Sequence, residues 1–108
     1  MSFKGKIVEV HLVRDARKQM CTLDSMLHNS VQRAFDMLSE NPQSEIQIPK
    51  KIIPKYYIRK YEVQNLWKYN LPGGWRLIYW IDGSEKEKIL VLVLEILSHK
   101  EYEQRFGY

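Results

Sequence analysis

Two hydrophobic periods follow one another in the first half of the chain. Residues 6–13 alternate apolar and polar side chains, which predicts a first strand, and residues 15–20 favour a short helix. Over residues 23–38 the apolar positions recur every three or four residues, so they occupy one face of a longer helix. Thr22 is expected to cap this helix, and the Asn-Pro pair at 41–42 is expected to end it.

The second half turns to the two-residue period of strands. Residues 42–49 are predicted to be a loop, and a proline is expected to open a short helix over residues 54–61. Three strands follow, at 65–70, 75–81 and 88–97. The last of them is apolar at nearly every position, which indicates a central strand covered on both faces.

Glycine and serine mark the ends of these elements. The Pro-Gly-Gly turn at 72–74 suits a loop longer than two residues, and its last glycine is expected to adopt a positive φ. Ser98 and Glu101 have the spacing of a capping box, so a helix is expected over residues 99–106, where Gly107 ends it.

This order of elements predicts an α+β domain. A small, mainly antiparallel four-stranded sheet would carry the N-terminal helices on one face and a short C-terminal helix, leaving the other face partly open. The length of 108 residues fits a single domain over 1–108. One cysteine, three scattered histidines and no long apolar run exclude a disulfide framework, the usual structural zinc patterns and a membrane span. With no signal-peptide core, we expect a cytoplasmic protein without a metal or cofactor.

Positive charge is concentrated in the middle of the chain. Residues 1–49 are neutral, whereas residues 50–76 hold seven basic residues against Glu62 alone, or +6. Tyrosines and tryptophans interleave with these cations, which suits RNA because basic groups attract phosphates and aromatic rings stack on unpaired bases. A solvated basic helix face beside core aromatics is the alternative. The predicted RNA-binding residues are Lys50, Lys51, Lys55, Arg59, Lys60, Asn70 and Lys100.

Two of the cations fall on predicted strands. Arg76 lies in an otherwise apolar strand, where a guanidinium is costly unless it is paired or functional. Its partner is either Glu95, in a structural ion pair, or a phosphate bound by the guanidinium fork. If the hairpin loop holds an odd number of residues, Lys68 faces the same side of the sheet as Arg76. Two such cations on an open face would suit a phosphate of a nucleic-acid backbone.

The start of the last helix carries groups suited to proton transfer. His99 lies at the helix N-terminus, where the helix dipole favours the neutral ring, so it can act as a general base and then as an acid. Lys100 can contact a phosphate instead. Tyr102, one turn further on, can donate its hydroxyl to a leaving or attacking oxygen. A solvent-facing histidine and a packed tyrosine ring are the alternatives.

The second half of the chain contains NLWKYNLPGGWRLIY at 65–79, the apolar strand at 89–97 and SHKEY at 98–102. Together these segments resemble the RelE/ParE superfamily of bacterial and archaeal toxins, and IIPKYY at 52–57 is most similar to archaeal members. It implies a RelE-like fold and a type II toxin that arrests growth by cleaving messenger RNA on the ribosome, and so inhibits translation. In the family reaction a ribose 2′-hydroxyl attacks the adjacent phosphate.

The resemblance also implies the catalytic residues. Arg76 matches the strand arginine, Lys68 the first basic residue of the lysine-containing strand, His99 the basic residue after the last strand, and Tyr102 the terminal tyrosine. The second lysine of that strand is replaced here by Asn70. The expected partners are messenger RNA, the ribosome and a cognate antitoxin, which would form a hetero-oligomer with the toxin. A ParE-like inhibitor of DNA gyrase and a non-catalytic RNA- or ribosome-binding relative are the alternatives.

Overall fold

The apolar strand near the C-terminus, β5 (Lys88–Leu97), lies inside a five-stranded sheet. The computed structural model describes residues 5–108, so the first four residues of the predicted domain lie outside the described residues. On one side β5 pairs in parallel with β1 (Ile7–Leu12), and on the other it pairs antiparallel with β4 (Arg76–Asp82). β3 (Trp67–Asn70) follows β4. The apolar residues of β5 are therefore covered on both faces, as predicted.

The fifth strand corrects the four-stranded prediction. β2 (Ile46–Gln47) pairs antiparallel with β3 and forms the edge of the sheet, within the segment 42–49 that was predicted to be a loop. Its two residues are too few to show an alternating pattern. A 3₁₀ turn at Lys50–Ile52 follows it.

The first face of the sheet is covered by the two N-terminal helices, α1 (Arg14–Met20) and α2 (Ser25–Glu40). The apolar stripe of α2 is buried against the sheet, as its spacing predicts. The predicted cap is wrong: the Asp24 carboxylate accepts the Leu27 N–H at 2.8 Å, whereas the Thr22 hydroxyl donates to a carbonyl of the preceding turn. Threonine and aspartate both suit a helix N-cap. The helix begins at Ser25, so the residue directly before it, Asp24, is the cap.

The second face is also covered, which corrects the prediction of a partly open face. α3 (Lys55–Tyr61) and α4 (His99–Phe106) pack there, with Tyr57 and Tyr102 fully or almost fully buried. Each helix is short and buries a single residue of its own, so neither shows a long apolar stripe. The buried residues of this face are Ile48, Ile53, Tyr57, Val63, Leu66, Ile78, Leu94, Leu97 and Tyr102.

A β-bulge in β5 decides which side chains reach the second face. Ile78 pairs with Glu95 while the next residue of β4, Tyr79, pairs with Val93, so Leu94 is an extra residue in β5. Leu94 and Glu95 consequently both point to the second face. The bulge thus places an acidic residue beneath α3 and α4.

The start and end of α4 follow the predicted signals. The Ser98 side chain accepts the Glu101 N–H at 3.2 Å, and the Glu101 carboxylate accepts the Ser98 N–H at 2.9 Å. Gly107, at φ 78°, ends the helix in the left-handed region. This cap fixes His99 at the first helical position, directly after the sheet.

Candidate functional site

The β3–β4 hairpin sets the faces of its polar residues. Five residues separate Asn70 from Arg76, and the register pairs these two directly while Lys68 pairs with Ile78. Residues paired across strands share a face, so Lys68, Asn70 and Arg76 all lie on the second face. Lys68 and Arg76 are diagonal neighbours and do not face each other directly.

The ring of Tyr102 joins the two cations. Its hydroxyl accepts a hydrogen bond from Lys68 Nζ at 3.2 Å, and the ring centroid lies 5.1 Å from that nitrogen and 5.2 Å from Arg76 Cζ. Tyr102 is only 5% exposed. The expectation of an open face between the two cations is therefore corrected: α4 places an aromatic ring there, where it stabilises both charges by cation–π contact.

Arg76 has no carboxylate partner within residues 5–108. Its Nη1 donates to the carbonyl oxygens of Gly74 at 2.6 Å and Trp75 at 3.2 Å, and its Nε is buried without a hydrogen-bond partner in that part of the chain. A buried donor left unpaired destabilises a fold by about 1–3 kcal/mol. Buried polar groups are nearly always hydrogen-bonded, and a bound anion would supply the acceptor that Arg76 Nε lacks within residues 5–108.

Glu95, the alternative partner of Arg76, is bound elsewhere. Arg105 donates from Nε and Nη2 to the two carboxylate oxygens of Glu95, both at 2.9 Å, and the Tyr57 hydroxyl donates to Glu95 Oε1 at 2.6 Å. Burial, together with the nearby carboxylate, raises the pKa of Tyr57 well above its usual range. This fork ties α4 and α3 to the sheet and leaves Arg76 free of a counter-charge from Glu95.

His99 stands at the rim of this cluster. Its Nε2 lies 2.5 Å from Glu103 Oε1, one helical turn along α4, and its side chain is 62% exposed. Its Cβ lies against the Gly74 backbone of the hairpin turn. The predicted catalytic residues Lys68, Arg76, His99 and Tyr102 are thus brought together where the hairpin turn meets the start of α4.

Two solved structures share this architecture. The Escherichia coli toxin RelE, a mutant in the free state, matches with a TM-score of 0.58 at 15% sequence identity over 94% of this chain and 96% of that one. The archaeal RelE–RelB complex from Pyrococcus horikoshii matches with a TM-score of 0.54 at 16% identity over 88% of this chain and 96% of that one. The chain has a RelE-like fold.

The RelE-like fold confirms the resemblance seen in the sequence. No protein-family model and no curated protein matches the chain, so the similarity is carried by the arrangement of strands and helices. No helix found among residues 5–108 is long and apolar enough to cross a membrane. Nor do three His, Cys, Asp or Glu side chains of this stretch meet as metal ligands would.

The predicted RNA-binding residues are all exposed, but one of them is already paired. Lys60 bonds to the Asp15 carboxylate and to the Tyr56 hydroxyl, and these partners raise its pKa, so its charge is already matched. The other predicted RNA-binding residues have no ion-pair partner among the described residues and are exposed: Lys50, Lys51, Lys55, Arg59, Asn70 and Lys100.

Arg105 and Glu103 are the site residues that the sequence reasoning missed. Both belong to α4, on which only His99, Lys100 and Tyr102 were singled out. Arg105 lies three residues after Tyr102, a spacing that puts both on one helical face, and Glu103 lies four residues after His99. These spacings, counted from the predicted start of α4, are the sequence signal by which Arg105 and Glu103 can be found.

Proposed function

We propose that the protein is the toxin of a type II toxin–antitoxin pair, an endoribonuclease that cleaves messenger RNA on the ribosome. The observation that carries this proposal is the state of Arg76. The guanidinium lies beside Lys68 on one sheet face, lacks a carboxylate within residues 5–108, and keeps a buried Nε without a partner. A phosphate oxygen is the acceptor that such a fork binds best.

The reaction needs one base, one acid and a stabiliser of negative charge. The ribose 2′-oxygen attacks the adjacent phosphorus while His99 takes the 2′-hydroxyl proton. Arg76 and Lys68 stabilise the charge that grows on the phosphorane oxygens. The bond to the 5′-oxygen then breaks, and that oxygen receives a proton from protonated His99 or from the Tyr102 hydroxyl. The products are a 2′,3′-cyclic phosphate and a free 5′-hydroxyl.

RNA binding in this scheme includes a shift of the Tyr102 ring. The ring is buried against both cations, so a phosphate that reaches Arg76 Nε must take the place of part of that contact. A hydrogen-bonded anion replaces a cation–π contact that stabilises by about 0.5–2 kcal/mol, which makes the exchange feasible.

Exposed basic residues extend the RNA surface beyond the reacting phosphate. Lys50, Lys51, Lys55 and Arg59 lie on the 3₁₀ turn and on α3, which packs on the same sheet face as α4. Their role is to attract ribosomal or messenger RNA by charge, and their contribution falls as salt rises. Lys60 contributes less because Asp15 already neutralises it.

A protein antitoxin completes the proposal. One of the structures with this fold is a RelE–RelB complex, and an acidic or amphipathic segment would complement the +4 net charge of this chain. The two proteins would form a hetero-oligomer in the cytoplasm, where ribosomes are found.

Induced expression of the Arg76→Ala variant tests the proposal. Wild-type protein is expected to arrest growth and to produce cuts in translated messages that primer extension detects. R76A should lower the cleavage rate by about 100- to 1,000-fold, because it removes the main stabiliser of the phosphorane. Arg14→Ala removes an exposed guanidinium from α1 on the first face and serves as the matched control. Growth arrest with DNA damage and intact messages would instead identify a gyrase inhibitor, and RNA binding without cuts a non-catalytic relative.

A further inference from the structure

Two consecutive glycines in the hairpin turn both have a positive φ but differ in their surroundings. Gly73 has φ 70° and Gly74 has φ 80°, so both lie in the left-handed region. A Cβ on Gly73 would meet only Trp75 Cδ1, at 3.8 Å. A Cβ on Gly74 would meet His99 Cβ at 3.1 Å, Cγ at 3.5 Å and Nδ1 at 3.6 Å. The turn and the start of α4 therefore pack closely at Gly74, and a side chain there would push His99 away by a few tenths of an ångström.

Gly74 also holds the neighbouring catalytic candidate. Its carbonyl oxygen accepts a hydrogen bond from Arg76 Nη1 at 2.6 Å. Gly74 thus binds the guanidinium proposed to hold the phosphate, and the space that a side chain at this position would fill is next to the imidazole proposed to move the proton.

The two ring nitrogens of His99 have different neighbours. Nε2 lies 2.5 Å from Glu103 Oε1, and Nδ1 is on the side of the ring next to Gly74. A carboxylate accepts hydrogen bonds and cannot donate them when ionised, so in the neutral ring it selects the tautomer with the proton on Nε2. Nδ1 is then left as the unprotonated acceptor, on the side of the turn that carries Arg76.

We propose that Gly74 and Glu103 are positioning residues that present Nδ1 of His99, and not Nε2, as the proton acceptor of the cleavage reaction. Gly74 sets how closely the imidazole approaches the turn, and Glu103 sets the tautomer and the ring orientation, as carboxylates do for histidines in other sites. The inference rests on the proposed ribonuclease function for its kinetic consequence only. The tautomer of His99 can be measured without RNA.

Nitrogen-15 NMR of the intact protein at a pH where the imidazole is neutral tests the tautomer. The chain has three histidines, so an H99Q spectrum assigns the signals of His99. Wild type is expected to show a protonated Nε2 and an unprotonated Nδ1, and Glu103→Ala should move the ring toward a mixture of tautomers. Gln104→Ala, an exposed neighbour on α4, should leave the signals unchanged. A wild-type ring protonated on Nδ1 would overturn the proposal.

Gly74→Ala compared with Gly73→Ala tests the approach distance. Both variants place a Cβ at a positive φ and so both strain the backbone, but only G74A brings a Cβ against His99. We expect G74A to shift the His99 signals and to lower kcat for RNA cleavage by about 10-fold, because a contact at 3.1 Å must open by only a few tenths of an ångström and a misplacement of about 1 Å costs about 100-fold. G73A should keep wild-type His99 signals and a kcat per folded molecule close to that of wild type.

The NMR measurement and the cleavage assay together distinguish a failure of this inference from a failure of the proposed function. If wild type cleaves no RNA but the NMR signals of G74A and E103A shift as expected, the proposed function is wrong and the positioning of His99 stands. Should G74A and G73A give the same His99 signals and the same cleavage rate, Gly74 positions nothing and the inference fails while the ribonuclease proposal remains.

Discussion

The two faces of the sheet differ in what they bury. Beneath α1 and α2 the buried side chains are apolar or aromatic apart from Ser30, whose hydroxyl donates to the Met26 carbonyl, whereas the face beneath α3 and α4 also buries Glu95 and half-buries Lys68, Arg76 and Arg105. Burying polar and charged groups is unfavourable unless they are paired, so the second face gains less stability from the same area. The comparison indicates that the first face contributes more to the stability of the fold, whereas the second face holds the proposed site.

Leu38→Ala should separate stability from activity on the first face. Leu38 is fully buried beneath α2, so its truncation leaves a cavity that the sheet cannot fill. We expect the free energy of unfolding to fall by about 4 kcal/mol, measured by urea denaturation, while cleavage per folded molecule is unchanged. Met37→Ala, at the adjacent position with 49% exposure, is the control and should change stability by less than about 1 kcal/mol. A large loss of activity in folded L38A would contradict the division between the faces.

The sequence predicts the features of the two faces that leave a local pattern of residues, and misses those that do not. The capping box of Ser98 and Glu101 and the apolar run of β5 are local patterns, and the structure confirms both. The coverage of the second face was missed because α3 and α4 each bury a single residue of their own. A short helix with one buried residue has no apolar period to detect.

The ion pair of Glu95 shows why pairing within the site escapes sequence reasoning. The sequence favours Arg76 as a possible partner because both lie on neighbouring apolar strands. The bulge at Leu94 puts Glu95 on the second face, the same face as Arg76, so the strand register alone permits their pairing. Arg105 from α4 and Tyr57 from α3 bind the carboxylate instead, and that choice depends on how the two helices pack on the sheet, which the sequence does not show.

Glu95→Gln should weaken the second face because it removes the counter-charge of Arg105. Arg105 would lose its counter-charge, and we expect a loss of about 3 kcal/mol in the free energy of unfolding, at the low end for buried pairs because the Arg105 side chain keeps 30% exposure. Replacing both residues, as E95L with R105L, should recover most of that loss because no unpaired charge remains. If urea denaturation shows the double variant to be less stable than E95Q, the fork stabilises the fold by more than charge neutralisation.

A smaller effect is expected from alkaline pH, because each face of the sheet buries one tyrosine whose ionisation lowers the free energy of unfolding. Tyr57 on the second face and Tyr79 on the first both have a pKa raised above the ordinary 10.0, chiefly because burial keeps the phenolate from water; the charge of Glu95 adds to this for Tyr57 and that of Glu45 for Tyr79. Above pH 10 the unfolded chain releases these protons and the native protein retains them. The contribution of these two tyrosines to the free energy of unfolding is therefore fully present below pH 10. It falls as pH rises above 10, by up to about 1.4 kcal/mol per pH unit for each tyrosine.

Single Tyr→Phe variants assign that slope to each face. Urea denaturation between pH 9 and 11, at about half-unit steps, should show that Y57F and Y79F each lose the slope of one proton, whatever their stability at neutral pH. A slope lost in Y79F but kept in Y57F would mean that the second face admits water to Tyr57. The Glu95 fork would then be less closed than the contacts of Arg105 and Tyr57 indicate, because a phenol that ionises freely cannot remain the donor to a buried carboxylate.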